Sequence, residues 1–302
     1  MSVSRAPVSP TPAPLAPPLV EGDVLVDVHA HFLHAGCGRA DWRDVNASRL
    51  RAGDAIGITH HVASALGTFG FGSPTYFASP ADVVAGNDAI LHMAASDGRV
   101  LAYAHVNPNH PEHAIAEIDR CVARGAVGVK LSASRRADDA LLDPIAAHAG
   151  RRALPILHHI WQGRGREWGG QEASDGVELG ALARRHPATQ FILAHIGGGG
   201  DYAHTFGAVA DLPNVYLDLS GSGVDRGMLD DATASVGASR LLWGCDVTMC
   251  TGLAKLWALE HAGLPIDAQR DVRWRNAARI FPPQSFHQPA ARSTARAGRA
   301  DV

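Results

Sequence analysis

The chain has 302 residues, with 46% hydrophobic and 19% charged content and a formal net charge of −3. That composition is the make-up of a globular enzyme with one large α/β domain or two modest ones. The slight acidity and the lack of a dense basic run argue against nucleic-acid binding, and no apolar run is long enough to span a bilayer. Four scattered cysteines (Cys37, Cys121, Cys245, Cys250) form no C-x-x-C pair, which suits a reducing, cytoplasmic setting.

Residues 1–22 are rich in proline and alanine and read as a disordered arm, with no apolar region of the kind a signal peptide needs. The first strand, 24–30, leads through His29-Ala30-His31. Two histidines two residues apart on a strand point to one face. Neutral imidazoles are common ligands for zinc and related ions, so this strand offers half of a coordination shell. Further strand-like runs follow at 58–66, 100–107, 127–131, 155–160, 190–196, 215–219 and 241–245. Helical periodicity falls between them, clearest at 81–96, 111–124, 176–185 and 253–261. Pro111 and Glu112 suit a helix start, Gly125 a helix C-cap and Pro155 a strand start. Single strands alternating with helices indicate βαβ units and a parallel sheet. Eight such units in about 260 residues match a closed (β/α)8 TIM barrel, with a doubly wound open sheet as the alternative. One barrel domain is expected over 23–283, followed by a flexible basic tail over 284–302 that carries Arg292, Arg296 and Arg299.

In a barrel of this kind the active site lies at the C-terminal ends of the strands. Strand four ends in Val129-Lys130-Leu131, strand five in His158-His159, strand six in Ala194-His195-Ile196 and strand eight in Gly244-Cys245-Asp246. A lone histidine in a strand is more often a satisfied core residue, a reading that fits His60, His61 and His105. Histidine or aspartate at the tops of four strands is a different matter, and the constellation carries the argument. The run Gly197-Gly198-Gly199-Gly200 lacks the lysine of a phosphate loop. Gly221-Ser222-Gly223 has the wrong spacing for a serine elbow.

Taken together, Asp27-Val28-His29-Ala30-His31, a strand-five histidine, Ala194-His195-Ile196-Gly197-Gly198 and Gly244-Cys245-Asp246 resemble the amidohydrolase superfamily. More narrowly, they resemble its amidohydrolase-related branch of metal-dependent hydrolases and decarboxylases. The resemblance extends from about Leu25 to Phe281 and includes Asn276-Ala277-Ala278-Arg279-Ile280-Phe281, similar to the family's closing helix. It implies that His29, His31, the strand-five histidine and Asp246 hold one divalent cation, most often zinc. The family places its strand-five ligand four residues after a strand-initial proline, which gives His159 rather than His158. The resemblance leaves His195 either as a ligand to a second metal or as an unligated group that orients water and polarises substrate. Lys130 is either the carboxylated bridge of a two-metal site or, in the favoured one-metal reading, a residue that faces a substrate anion or supports the barrel.

The chemistry expected of such a site is hydrolysis. A divalent cation lowers the pKa of a bound water, Asp246 accepts and passes on its proton, and His195 stabilises charge on the attacked oxygen. The leading expectation is therefore a metal-dependent hydrolase cleaving a C–N or C–O bond, amide or lactone, in a small substrate. The alternative is a metal-dependent decarboxylase of an unsaturated or aromatic carboxylic acid, and a non-catalytic metal-binding protein ranks third. Lys130, Arg164 and Glu172 are the candidate substrate-binding residues. Arg164, Arg166, Arg135 and Arg136 could form a carboxylate-binding rim. Phe69, Phe71, Tyr76 and Phe77 after strand two are candidate walls of the pocket, and the long loop after strand five also contains Trp161 and Trp168. The partner expected is a small molecule, and a homo-oligomer stays open.

Overall fold

The computed structural model describes residues 24–65, 73, 76–161, 170–196, 201–221, 227–246 and 252–286. The two expected tails lie largely outside this set, as do Phe69, Phe71, Arg164, Arg166, Trp168 and the glycine run 197–200.

Eight parallel strands form one sheet in sequence order. They are β1 (Val26–Phe32), β2 (His60–Ala65), β3 (Val100–Val106), β4 (Gly128–Leu131), β5 (Ile156–His158), β6 (Phe191–Leu193), β7 (Val215–Asp218) and β8 (Leu241–Leu242). Two main-chain bonds close the ring: Val28 N–H donates to Trp243 O at 3.1 Å and Asp246 N–H to His29 O at 2.8 Å. Closure decides against the doubly wound alternative, because an open sheet would leave both edges unpaired. The helices that follow the first four strands are α1 (Trp42–Ala55), α2 (Pro80–Ser96), α3 (Pro111–Val122) and α4 (Asp143–Arg151). The second half adds α5 (Gly176–Arg185), α6 (Tyr202–Val209), α7 (Met228–Val236), α8 (Gly252–Glu260), α9 (Ile266–Arg270) and α10 (Asn276–Ile280). No helix among the described residues is long and apolar enough to cross a membrane.

Local chemistry explains where helices start. The Ser79 hydroxyl accepts the Asp82 N–H and Pro80 sits at the first helical position of α2, where its missing donor costs nothing. Asp175 and Glu178 form a reciprocal capping box at α5. Gly125, at φ 98°, ends the turn after α3 as its sequence position suggested.

Side chains divide by strand face. Val26, Val28, Val62, Tyr103, Leu157, Ile192, Ala194 and Leu242 fill the barrel interior. Ala30, Phe32, Ala63, Val129, Leu131, Ile156, Leu193 and Leu217 face the helices. Each fully buried Val, Leu, Ile or Phe contributes about 1.5–3 kcal/mol relative to exposure. At the lower end, Ala277 and Ile280 from α10 and Phe281 just after it plug the interior, in one cluster with Val24 and Val127. The Asn276 amide anchors this plug by donating to Ala238 O at 2.8 Å and Leu241 O at 2.7 Å.

One irregularity in this pattern matters for function. The register of β1 against β2 shifts between Asp27 and Ala30, the signature of a β-bulge. Val26 and Val28 belong to the interior below the bulge, whereas above it Ala30 and Phe32 belong to the outer layer. The bulge thus turns His29 and His31 inward over the apolar plug. Asp27 serves as its clamp: Oδ1 accepts the N–H groups of His29 (3.1 Å) and Cys245 (3.0 Å), and Oδ2 lies 3.3 Å from His61 Nδ1.

Candidate metal centre

The interior parity of each strand delivers one polar group or more to the upper mouth. β1 supplies His29 and His31, and β2 supplies Ser64. β3 contributes His105 and β4 Lys130, paired side by side in the sheet register. His159 and His195 follow β5 and β6, Asp218 and Ser220 end β7, and Asp246 follows β8. Every one of these except His159, which is half-buried, is buried.

Within this ring, His29, His31 and Asp246 offer three ligand atoms that all lie within 4.8 Å of one another. The two Nε2 atoms are 3.1 Å apart, and His31 Nε2 lies 3.5 Å from Asp246 Oδ1. Behind each ring stands a partner for its other nitrogen. His29 Nδ1 is 2.9 Å from Asp218 Oδ2 and His31 Nδ1 is 3.0 Å from the Ser64 hydroxyl. A histidine whose Nδ1 is tied to a carboxylate or hydroxyl presents its Nε2 lone pair in a fixed direction, as metal-ligating histidines do. Two imidazole nitrogens and a carboxylate oxygen form a donor set that suits zinc, manganese or iron(II). The set therefore fits a divalent cation by position and by chemistry.

Burial pushes both histidines well below their ordinary pKa, with Lys130 adding to the effect. Neutral imidazole is the form that ligates. Lys130 is buried and donates to His29 Nε2 at 2.8 Å. Burial pulls its ammonium down to about 8, opposed by Asp246 and Asp218. Burial raises the Asp246 carboxyl to about 7 against the pull of Lys130. Lys130 thus sits inside the donor cluster, not at its rim.

His159 lies one step away. Its Nδ1 is 3.1 Å from His195 Nε2, its buried Nε2 has no close hydrogen-bond partner among the described residues, and the Gln171 side chain stands near enough to act on the ring. Leu157 belongs to the interior and Ile156 to the outer layer, so the period of two turns His159 inward and His158 outward. His158 Nδ1 donates instead to His159 O at 2.8 Å. His195 has φ 62° and Asp246 φ 55°, left-handed backbone that costs about 1 kcal/mol or more in a non-glycine residue. Gly221 permits the first of these. At φ 88° it occupies the same backbone region, and a Cβ there would meet His195 Cβ at 2.9 Å.

Flat aromatic rings stand beside the histidines. Tyr76 lies 5.3 Å from the His159 ring, and Trp161 meets His195 edge-on at 5.9 Å. Gln171, buried in the stretch before α5, has no close hydrogen-bond partner for its Oε1 among the described residues. Glu172 is partly exposed, its N–H donating to Ala133 O at 2.8 Å. Arg164 is outside the described residues. Arg135 is held by Asn109 Oδ1 and faces Asp139 at 3.6 Å, so its charge is shared before any ligand arrives.

Sequence reasoning missed Asp218, Ser220 and Ser64. It also took His61 and His105 as ordinary core residues. His61 is one, bound to Asp27 under the site, but His105 faces the interior beside Lys130, 3.0 Å from the Ser132 hydroxyl. Parity was the available signal. In Val215-Tyr216-Leu217-Asp218-Leu219-Ser220 the apolar residues alternate with polar ones that share a face.

A family model described as amidohydrolase matches residues 26–282. A solved 2,6-dihydroxybenzoate decarboxylase bound to 2,6-dihydroxybenzoate superposes with TM-score 0.67 at 19% identity, covering 85% of this chain and 98% of its own. A dihydroxybenzoic acid decarboxylase from Polaromonas sp. JS666, with bound manganese and the inhibitor 2-nitroresorcinol, gives TM-score 0.65 at 19% identity over 85% and 96%. The 5-carboxyvanillate decarboxylase of Sphingomonas paucimobilis gives 0.64 at 17% over 85% and 98%. At such identities the likeness establishes a common barrel. No curated protein sequence matches the chain.

Proposed function

Given that the chain belongs to the amidohydrolase family, we propose that it is a metal-dependent decarboxylase of an aromatic carboxylic acid. One observation carries this reading: the buried Lys130 ammonium and the His29–His31–Asp246 donor set share one mouth with the rings of Tyr76 and Trp161. Concentrated positive charge recognises an acid, and flat rings favour a planar one. The decarboxylases among its structural neighbours act on acids of this class, which supports the same reading over the hydrolase that the ligand motif first suggested.

A divalent cation held by His29, His31 and Asp246, with His159 as the further ligand, would supply the positive charge that orients the acid and offsets charge developing on it. The manganese in a neighbouring decarboxylase places that ion beside zinc as the one to test. Lys130 adds a second positive group beside His29. Replacement of carboxylate by hydrogen needs one proton: the aryl–carboxyl C–C bond breaks, its electron pair takes the proton, and carbon dioxide leaves. Asp246 is the acid–base group placed to relay that proton, and His195 lies beside it, with Nδ1 3.8 Å from Asp246 Oδ2.

The test is turnover of hydroxybenzoates and related aromatic acids by protein loaded with manganese or with zinc. The expected result is one carbon dioxide per acid consumed, solvent deuterium at the vacated carbon, and no oxygen from labelled water in the product. Cleavage of amides or lactones with incorporation of labelled oxygen, and no carbon dioxide from any acid, would replace this reading with the hydrolytic one.

A further inference from the structure

The hydrogen bonds around Asp218 and Ser220, followed donor by donor, fix more than the pair itself. Asp218 Oδ1 accepts the N–H of His195 at 3.0 Å and of Ser220 at 2.9 Å, and it also accepts the Ser220 hydroxyl. With its proton committed there, Ser220 Oγ has only acceptor capacity left. That oxygen lies 2.9 Å from His29 Nδ1 and 3.2 Å from His195 Nδ1, and Asp218 Oδ2 lies 2.9 Å from His29 Nδ1. Neither Asp218 nor Ser220 has a donor to give these nitrogens, so both rings carry their proton on Nδ1 and their lone pair on Nε2. Lys130 agrees with this assignment, since its ammonium donates to His29 Nε2.

The assignment propagates to a third ring. His195 Nε2 lies 3.1 Å from His159 Nδ1, and a lone pair on the first draws the His159 proton to the second. His159 Nε2 is then left as a lone pair, and it is a buried nitrogen with no close hydrogen-bond partner among the described residues.

We propose that Asp218, acting directly and through Ser220, is the positioning residue that presets the tautomers of His29, His195 and His159. One carboxylate on β7 thereby makes ligand nitrogens available on β1 and on β5. This inference rests on the metal-binding part of the reading above and is independent of the reaction class.

The test begins with metal-free wild-type protein carrying 15N-histidine. Long-range proton–nitrogen spectra are expected to show Nδ1–H on His29, His159 and His195. Asp218→Asn sets an amide against His29 Nδ1, and manganese affinity measured by calorimetry is expected to fall 10–100-fold, the range seen when the outer partner of a ligating histidine is lost, while circular dichroism stays unchanged. Ser220→Ala is expected to shift His195 and His159 to mixed tautomers and leave His29 as it was, with Ser220→Thr restoring the wild-type pattern. Nε2–H on His159 or His195 in the wild type would overturn the proposal, as would a Ser220→Ala protein with wild-type tautomers. Should Asp218→Asn fail to fold, the Ser220 pair decides alone. A wild-type protein that binds no divalent metal counts against the site itself, whatever its tautomers.

Discussion

The two sides of the barrel mouth solve opposite problems. On the β7–β1–β8 side, Asp218 and Ser220 satisfy His29, Ser64 satisfies His31, and Asp27 clamps the bulge beneath them. On the β5 side, His159 Nε2 and Gln171 Oε1 are buried with no close hydrogen-bond partner among the described residues. A buried polar atom left unsatisfied costs about 1–3 kcal/mol, so one side is finished by folding and the other is held at a cost. The difference teaches where an outside ligand gains most. A metal meets aimed lone pairs on the first side, and metal or substrate relieves orphaned atoms on the second.

Acid should erase the comparison, because both sides depend on neutral imidazole. Burial lowers His105 and His159 to about 3 and His158 to about 4, and it lowers His29, His31 and His195 as well. The unfolded chain binds these protons near the ordinary value of about 6.5 and the folded chain does not. Stability is therefore full above about pH 6.5 and falls as pH drops toward the folded values, by up to about 1.4 kcal/mol per pH unit for each ring. Asp246 opposes the trend with at most one proton, since its carboxyl is raised to about 7. Three rings alone approach a typical total stability within about 1.5 pH units, so metal-free protein is expected to unfold between about pH 6.5 and 5. Bound manganese or zinc should move that transition to lower pH. A thermal midpoint unchanged from pH 7 to pH 5 in metal-free protein would show that the rings are not held neutral by burial.

Comparing sequence with structure explains which side could be read in advance. The first strand, read over 24–30, is observed as Val26–Phe32, two residues on, and helix 176–185 matches α5. Each holds a long, clean pattern. His29, His31 and Asp246 were legible because residue type and strand position agree. Asp218 and Ser220 were not, because nothing in their chemistry distinguishes an aspartate behind a ligand from one capping a turn, and only the closed barrel brings β7 against β1. Strands five, six and eight are shorter than their apolar runs suggest. His195 and Asp246 turn into left-handed backbone at the mouth, which the apolar pattern of a strand does not announce.

Exchanging the two neighbouring histidines of β5 sharpens the contrast further. His159→Ala removes the orphaned inward nitrogen, and manganese affinity is expected to fall about 100-fold, at or above the effect of losing an outer partner. His158→Ala removes a ring that points away from the interior and should change affinity by no more than about threefold. Equal retention of metal in both variants would take His159 out of the ligand set.

On the finished side, the weakest tolerance lies at Gly221. An alanine there must hold φ 88° and brings a Cβ within 2.9 Å of His195 Cβ. Backbone strain of this kind costs on the order of 1–3 kcal/mol, which lowers the thermal midpoint of a domain this size by roughly 2–10 °C. If Gly221 serves only the turn, metal affinity and kcat survive in the folded variant. If it holds His195 in place, kcat falls more than KM changes, and that second outcome is expected.

The smallest effect belongs to the aromatic walls, and it bears on the unfinished side. Tyr76 and Trp161 stand beside His159 and His195. Replacing either with leucine keeps apolar bulk and removes the flat face. An aromatic pair contributes about 0.5–1.5 kcal/mol beyond area burial, so KM for an aromatic acid should rise roughly 2–10-fold, with metal affinity and the tautomer pattern unchanged. A planar substrate between the rings loses affinity in both variants, whereas a non-planar acid held by Lys130 and the metal alone does not register the change. Equal KM for an aromatic acid in wild type, Tyr76→Leu and Trp161→Leu would leave the cationic groups as the whole of recognition, and the substrate class would widen from aromatic acids to acids in general.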